Sequence, residues 1–209
     1  MSGVENYLVE KEVSYRCIKI RSKYPKSCPG ENNLRRTAFL KSEVDRNLAH
    51  VFSKTKKMPT RFSDGTWNIL YLAGDKTTTY AEVAYHLKNF FYTSPETMKT
   101  KSVKQIVFEL TVGGKQRDFT CATHLLASLK SKDDSGYSDC QKIAKNAISD
   151  GVDYLKVPSA RNDKGICFPT FESCKVSSPT KFEEVIFTLS PDSDDVVVQA
   201  GSNIYVYNT

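Results

Sequence analysis

The chain has 209 residues, ordinary fractions of charged and apolar residues, and a formal net charge of +6. That length suits one domain with a closed hydrophobic core, and no apolar run approaches the roughly 18 to 20 residues of a membrane helix. The first residues, MSGVENYLVEKEV, lack the basic flank and apolar stretch of a secretory signal. We therefore expect a cytoplasmic protein that makes no membrane contact, or an effector delivered without a cleaved signal.

The six cysteines are scattered along the chain and form no Cys-x-x-Cys pair. The three histidines show no spacing typical of zinc ligands. We expect reduced, mostly buried thiols and no bound metal.

Basic residues are concentrated between Ser14 and Arg61, whereas the stretch after Lys181 is acidic. A basic half suggests an anionic ligand, which would be a nucleotide, a nucleic acid or an acidic protein. A solvated basic surface is the plainer explanation of the same charge, so composition alone does not decide between these alternatives.

The first elements along the chain are predicted from apolar spacing and turn residues. Weak alternation predicts a short strand over 14–20, and the Pro- and Gly-containing stretch 21–34 is predicted as a loop. Helical spacing indicates a helix over 39–52. The apolar run WNILYLAG, residues 67–74, is predicted as a buried strand.

The next helix, which follows Asp75, has the clearest pattern in the chain. Its core-facing stripe is Tyr80, Val83, Ala84, Leu87 and Phe91. Glu82 lies about 200° around the helix axis from Tyr80, at roughly 100° per residue, so it is not on that stripe. It is either a solvated surface carboxylate or a group that faces a cleft.

The second half of the chain mixes strands and helices. Two strands, 102–112 and 115–120, are predicted to form a hairpin around Gly113-Gly114. The remaining predicted elements are a short helix over 123–130, a longer helix over 137–151, strands over 152–157 and 165–171 around the loop 158–165, and antiparallel strands over 185–190, 194–200 and 203–209. We therefore expect a single α+β domain with mixed and antiparallel sheets and flanking helices.

Several common sites are missing from the sequence. It contains no Walker A loop, no G-x-G-x-x-G stretch and no G-x-S-x-G elbow. The aromatic residues of the basic half follow no RRM, KH or zinc-finger pattern. Nucleic-acid binding is therefore not favoured.

Four ordered blocks resemble the RES domain family. These blocks are YRCI (15–18), RFSDGTWNILYLA (61–73), AEVAYH (81–86) and SGYSDCQKIAKNAISDGVDYLKVPSAR (135–161). Single blocks are weak signals, whereas the ordered set is fairly specific. The resemblance covers roughly residues 14 to 171, so we expect an N-terminal extension over 1–13 and a catalytic domain over 14–175. The alternating C-terminal strands over 176–209 have no counterpart in the resemblance and are expected to belong to the same domain.

The resemblance also implies the catalytic residues. The family is named after an Arg, a Glu and a Ser, which correspond here to Arg16, Glu82 and either Ser138 or Ser159. A carboxylate such as Glu82 stabilises the positive charge that develops on a ribose when its glycosidic bond breaks. Ser138 either hydrogen-bonds the nicotinamide or ribose or merely caps its helix.

The other candidate site residues suit a dinucleotide. Arg16 and Arg61 suit a pyrophosphate as charge-assisted donors, and Arg161 is either a further phosphate or ribose contact or a surface charge. Tyr71 either stacks on the nicotinamide and positions its ribose or belongs to the core. Tyr15 either frames the pocket or packs.

The function implied by the resemblance is cleavage of NAD⁺ by a bacterial toxin. RES domains are similar in fold to ADP-ribosyltransferase-type toxins, so the chain is expected to act as an NAD glycohydrolase or phosphorylase that needs no metal. Transfer of ADP-ribose to a protein is the alternative reaction, and a non-catalytic basic binding module is the alternative of another class. A toxin also implies a neutralising antitoxin or immunity protein that covers the cleft.

Overall fold

The computed structural model describes residues 6–18, 33–53, 58–93 and 99–208. Within these residues the chain forms a mixed α+β fold, as the sequence predicts. The helices are α1 (Asn33–Ser53), α2 (Lys76–Tyr92), α3 (Leu126–Leu129) and α4 (Tyr137–Ser149). The strands are β1 (Asn6–Ile18), β2 (Leu70–Ala73), β3 (Lys101–Asp118), β4 (Tyr154–Pro158), β5 (Ile166–Thr170), β6 (Thr180–Leu189), β7 (Asp195–Ala200) and β8 (Asn203–Asn208).

All eight strands belong to one sheet in the order β1-β2-β5-β4-β3-β6-β7-β8. A further pairing joins β1 to β3, so the path from β1 through β2, β5, β4 and β3 returns to β1. Only the β3–β4 pair is parallel among these pairings. The closed path brings β1 and β2, which carry Arg16 and Tyr71, side by side.

The hairpin predicted around Gly113-Gly114 is wrong. Residues 101–118 form the single strand β3, and β1 pairs with it on both sides of the glycines. The register slips between Val9 and Glu12 of β1 opposite this point, which is a β-bulge rather than a turn. Gly114 has φ +112, and a Cβ there would lie 2.3 Å from the Asp153 carboxylate. The glycine is needed for this positive φ and this close contact.

Both ends of the described chain belong to the sheet. The predicted extension 1–13 contains the first part of β1, because β1 begins at Asn6 and pairs with β3 from its first residue. At the other end β6 pairs with β3, and β7 and β8 follow in antiparallel order. Most of the predicted loop over 21–34 lies outside the described residues.

Helix α2 follows the predicted pattern closely. Asp75 caps its first turn by accepting the N–H of Thr78 at 2.7 Å. Tyr80, Ala84 and Phe91 are buried against apolar residues of β6 and β7. This packing fixes the helix, and the opposite side of α2 carries Glu82 toward β2, β5 and the loop after β4.

The remaining helices cover other parts of the sheet. Helix α1 begins at Asn33, six residues before the predicted start at residue 39, and its Val44 packs against β2 and β3. Helix α4 buries Cys140, Ala144 and Ala147. No helix in the described ranges is long and apolar enough to cross a membrane.

Four cysteines are described as free thiols, and they differ in exposure. Cys140 is buried and Cys167 is half-buried, whereas Cys121 and Cys174 are exposed. The prediction of mostly buried thiols is therefore wrong for two of the four. Among the residues that the structure describes, no group of three or more His, Cys, Asp or Glu side chains is placed to hold a metal ion.

Candidate active site

A cavity of about 480 Å³ lies between β1, β2, β5, α2, the turn 60–63 and the loop after β4. That volume falls within the range of roughly 300 to 1,000 Å³ typical of ligand pockets. Six residues predicted for the site line it, namely Tyr15, Arg16, Arg61, Tyr71, Glu82 and Arg161. The structure thus brings together residues from five separate segments of the chain.

Glu82 is held in the cavity wall by two donors. The Ser159 hydroxyl donates to Oε1 at 2.6 Å, and the Cys167 thiol donates to the same oxygen from 3.6 Å. Burial, followed by the nearby Glu82 carboxylate, raises the pKa of Cys167 well above its ordinary value, so the sulfur keeps the proton it donates. The carboxylate is therefore oriented from two strand ends, β4 and β5.

The Ser159 hydroxyl has one proton to donate, and hydrogen bonds from the neighbouring backbone fix its direction. Its Oγ accepts the N–H of Arg161 and the N–H of Asn162, both at 3.1 Å. A hydroxyl has two acceptor lone pairs and one proton, so the proton remains for Glu82. Ser159 is only 1 % exposed, and this buried bond fixes both the loop and the carboxylate.

The loop that carries Ser159 is fastened to the start of α2. The Asn162 amide donates to Thr78 Oγ1 at 2.9 Å. Gly165 closes the loop by accepting the N–H of Ser159 at 2.8 Å, and a Cβ at Gly165 would lie 2.3 Å from Thr78 Oγ1. A glycine at this position lets the loop approach α2 closely enough for Ser159 to reach Glu82.

Arg16 reaches the cavity from β1, and Arg61 reaches it from the turn 60–63. Arg16 Nη1 donates to the carbonyl of Tyr71 at 2.9 Å. Arg61 donates from Nη1 to the Leu129 carbonyl at 3.1 Å and from Nη2 to the Ser131 carbonyl at 2.6 Å. Both guanidinium groups are thus oriented by backbone carbonyls while they line the cavity.

A third guanidinium group, that of Arg161, lies over the ring of Tyr85. Its Cζ is 3.3 Å from the ring centroid, which is a cation–π contact. His86, one turn beyond Glu82 on α2, also lines the cavity. Burial lowers the pKa of His86, and the positive charge of Arg161 lowers it further. The Glu82 carboxylate acts in the opposite direction but does not cancel the effect. His86 is therefore kept toward its neutral form beside the arginines.

The two tyrosines of the predicted site have bonded hydroxyl groups. The Tyr71 hydroxyl contacts Thr60 Oγ1 at 2.8 Å and accepts the N–H of Phe62 at 3.0 Å. Burial raises the pKa of Tyr71 to about 12, so this hydroxyl stays protonated. The Tyr15 hydroxyl donates to Glu109 Oε2 at 3.0 Å. Each ring borders the cavity while its hydroxyl points to a neighbouring segment.

Ser138 is the one predicted site residue that the structure places elsewhere. It is exposed on α4 and does not line the cavity. It is not the helix cap either, because Gly136 occupies that position without a side-chain bond. Of the two candidate serines, Ser159 is the one that contacts Glu82.

The lining residues that were not singled out from the sequence include Thr60, His86, Tyr137 and Cys167. The spacing of four residues between Glu82 and His86 places both on one helix face, so the helical pattern of the sequence could have indicated His86. Tyr137 lies under Arg61, whose Cζ is 5.4 Å from the ring centroid. Thr60 and Cys167 depend on tertiary contacts that no local pattern indicates.

The cavity thus combines one carboxylate with three guanidinium groups. Arg side chains bind phosphate groups through parallel N–H donors, and an oriented carboxylate stabilises positive charge next to it. The arrangement suits a ligand that carries phosphate groups and develops positive charge close to the carboxylate.

Comparison with known proteins identifies the family. The family model of the RES domain matches residues 34–190, so the chain belongs to the RES domain family. Glu82, Ser138 and Ser159 lie inside the matched range, whereas Tyr15 and Arg16 precede it. No curated protein matches the chain.

A solved structure among those that match shows a weak likeness. It is the MbcT–MbcA toxin–antitoxin complex of M. tuberculosis, with 11% sequence identity and a TM-score of 0.47, covering 89% of this chain and 88% of that one. Similarity at this level is too low to carry an argument about this chain.

Proposed function

We propose that this chain is an NAD⁺-degrading toxin that cleaves the bond between nicotinamide and ribose. The observation that carries the proposal is the Glu82 carboxylate, held by Ser159, in one cavity with Arg16, Arg61 and Arg161. Membership of the RES family adds support, because the resemblance of the sequence blocks implies the same chemistry. NAD⁺ has the two features that the cavity suits, a pyrophosphate and a cleavable cationic glycoside.

In the proposed reaction the bond between ribose C1′ and the nicotinamide nitrogen breaks first. The bonding electron pair stays with the nitrogen, so neutral nicotinamide leaves and an oxocarbenium-like cation remains on the ribose. The Glu82 carboxylate stabilises that cation electrostatically. Water then adds at C1′ and releases one proton, which gives nicotinamide and ADP-ribose. Phosphate as the acceptor would give a phosphorylated ADP-ribose instead, and no metal takes part in either scheme.

The arginines bind the pyrophosphate in this proposal. Arg161 stacks on Tyr85, and Arg16 is bonded to the β2 backbone, so these two guanidinium groups are positioned before substrate arrives. Such preorganisation reduces the entropy lost on binding. Tyr15 and Tyr71 contribute ring surface to the wall rather than free hydroxyl groups.

The central test is release of nicotinamide by the purified protein and by Glu82→Gln. The substitution keeps the shape of the side chain and removes the charge that the proposal requires, so we expect kcat to fall by about 100-fold or more, which is typical of losing one electrostatic group. Glu172→Gln is the matched control, because Glu172 is exposed on the surface. Full activity of Glu82→Gln would overturn the assignment.

The acceptor is identified in the same assay. Release in plain buffer indicates a glycohydrolase, and release that depends on added phosphate indicates a phosphorylase. If labelled NAD⁺ marks a protein while little ADP-ribose appears, the chain is an ADP-ribosyltransferase. Strongly salt-dependent retention on DNA without nicotinamide release would identify a basic binding module.

An enzyme that consumes NAD⁺ harms the cell that makes it. We therefore propose a neutralising partner, either an antitoxin or an immunity protein, that covers the cavity. We also propose the cytoplasm as the site of action, because the substrate is found there. Intact NAD⁺ in the presence of the co-purified partner, and loss of NAD⁺ when the partner is removed, would test the first statement; depletion of cytoplasmic NAD⁺ in cells that make the protein without the partner would test the second.

A further inference from the structure

Arg61 lies in a tight turn over residues 60–63. The turn is closed by two backbone hydrogen bonds, from the N–H of Thr60 to Ser63 at 2.7 Å and from the N–H of Ser63 to Thr60 at 3.3 Å. Phe62 is buried in the core at 3 % exposure, while its neighbour Arg61 lines the cavity. The direction of Arg61 is therefore set by the position of this turn together with the Leu129 and Ser131 carbonyls that its guanidinium contacts.

Three side chains from outside the turn hold it. The Tyr71 hydroxyl accepts the N–H of Phe62, and the Trp67 indole N–H donates to the Phe62 carbonyl at 2.9 Å. The third is Gln141 of α4, whose Nε2 donates to the carbonyls of Thr60 and Ser63.

The Gln141 amide joins the two ends of the turn. Its Nε2 lies 2.9 Å from the Thr60 carbonyl and 3.3 Å from the Ser63 carbonyl. A side-chain amide has two N–H protons, so both are used here. These carbonyls are also the acceptors of the turn's own backbone bonds. Gln141 thus completes the polar contacts that keep the turn closed and attached to α4.

We infer that Gln141 is a positioning residue that holds the turn 60–63 against α4 and thereby keeps Arg61 directed into the cavity. Gln141 itself does not line the cavity. Its effect on kinetics rests on the proposed function, through the phosphate contact assigned to Arg61. Its effect on the turn does not depend on that assignment.

Gln141→Glu tests the inference with little change of shape. A carboxylate cannot donate to the two carbonyls and instead repels them, so the turn should separate from α4. If Arg61 binds substrate and transition state equally, its displacement raises KM and leaves kcat nearly unchanged. We expect KM for NAD⁺ to rise about tenfold or more, the effect of losing one charge-assisted hydrogen bond.

The double variant with Arg61→Ala separates positioning from general damage. If Gln141 acts through Arg61, then Gln141→Glu adds nothing to KM once Arg61 is gone, because the two changes remove the same interaction. Additive effects on KM in the double variant would overturn the inference. Asn146→Asp is the matched control on the exposed side of α4, and we expect its KM to equal that of the wild type.

Trp67 provides a measurement that does not depend on turnover. It is the only tryptophan in the chain, and its indole N–H is bonded to the turn. Its fluorescence should change in Gln141→Glu and not in Asn146→Asp. Calorimetry can measure the affinity for NAD⁺ in Glu82→Gln, which is expected to cleave it slowly. The double variant Glu82→Gln, Gln141→Glu should bind NAD⁺ about tenfold more weakly than Glu82→Gln alone, in parallel with the rise in KM.

These readouts distinguish the two proposals. If the wild type releases no nicotinamide but binds NAD⁺, the proposed reaction fails while calorimetry and fluorescence still test Gln141. Unchanged affinity together with unchanged Trp67 emission in Gln141→Glu would overturn the inference. If the wild type neither cleaves nor binds NAD⁺, the proposed function fails, and Trp67 emission in Gln141→Glu then tests the inference: changed emission supports it and unchanged emission overturns it.

Discussion

Substitution of Ser159 by Ala separates the role of this side chain in catalysis from its role in stability. The hydroxyl donates to Glu82 at 2.6 Å and accepts two backbone N–H groups. A hydrogen bond to a charged group contributes about 1.5 to 3 kcal/mol, and about 1.4 kcal/mol corresponds to a factor of ten in rate. If the position of the carboxylate matters mainly in the transition state, kcat should fall by about 10- to 100-fold.

The same substitution removes the acceptor of the N–H groups of Arg161 and Asn162. Leaving buried donors unpaired costs about 1 to 3 kcal/mol, so the free energy of unfolding in urea should fall by about that amount. Nicotinamide release measured over a range of NAD⁺ concentrations, together with urea unfolding, gives both quantities.

Ser138→Ala is the matched control, because Ser138 is exposed on α4 and outside the cavity. We expect it to leave both kcat and the free energy of unfolding close to those of the wild type. A variant of Ser159 that lost stability but kept full kcat would refute its role in orienting Glu82. Loss of kcat in Ser138→Ala would refute the assignment of the two serines.

Two further predictions concern the cap of α2 and the thiols. Burial alone would raise the pKa of Asp75, but hydrogen bonds from the first turn of α2 outweigh it, so the pKa lies below its ordinary 3.8. At acid pH the unfolded chain therefore binds more protons at Asp75 than the folded chain does. The contribution of Asp75 to stability is complete above the ordinary pKa of 3.8 and is lost as the pH falls through the lower pKa of the folded state. Asp75→Asn keeps a capping side chain and should make the free energy of unfolding in urea depend less on pH under acid conditions. The same pH dependence as in the wild type would contradict the prediction. In the folded protein an alkylating reagent should label Cys121 and Cys174 quickly, whereas burial raises the pKa of Cys140 to about 11 and that of Cys167 well above its ordinary value. Peptide mass spectrometry measures the labelling rate of each cysteine. Fast labelling of Cys167 would contradict the prediction and would show that the reagent reaches the thiol beside Glu82.

Helix α2 shows how far local pattern reaches. Apolar spacing predicts its buried stripe, and the structure buries Tyr80, Ala84 and Phe91 as expected. The same spacing places Glu82 off that stripe, and Glu82 lines the cavity. Helical periodicity is a local property, so the sequence is enough to predict on which side of the helix these residues lie.

Gly113-Gly114 and Ser138 show where local pattern fails. A glycine pair between two apolar strands favours a hairpin, yet pairing with β1 on both sides keeps β3 continuous. Both Ser138 and Ser159 lie in the block 135–161 that resembles the family, and no local feature of either indicates which contacts Glu82. That contact depends on the close approach of Gly165 to Thr78, which is set by how the loop packs on α2.

The position of Glu82 depends on contacts on both sides of α2, and these come from distant parts of the chain. On the cavity side the loop after β4 supplies Ser159. On the other side Tyr80 and Ala84 pack against β6 and β7, and the Tyr207 hydroxyl of β8 donates to the Thr77 carbonyl at 3.1 Å. Because the C-terminal strands support the helix from behind, the segment after residue 175 belongs structurally to the candidate site. The carboxylate is therefore held both by the blocks that carry the family resemblance, which supply Ser159, and by the C-terminal strands that support α2.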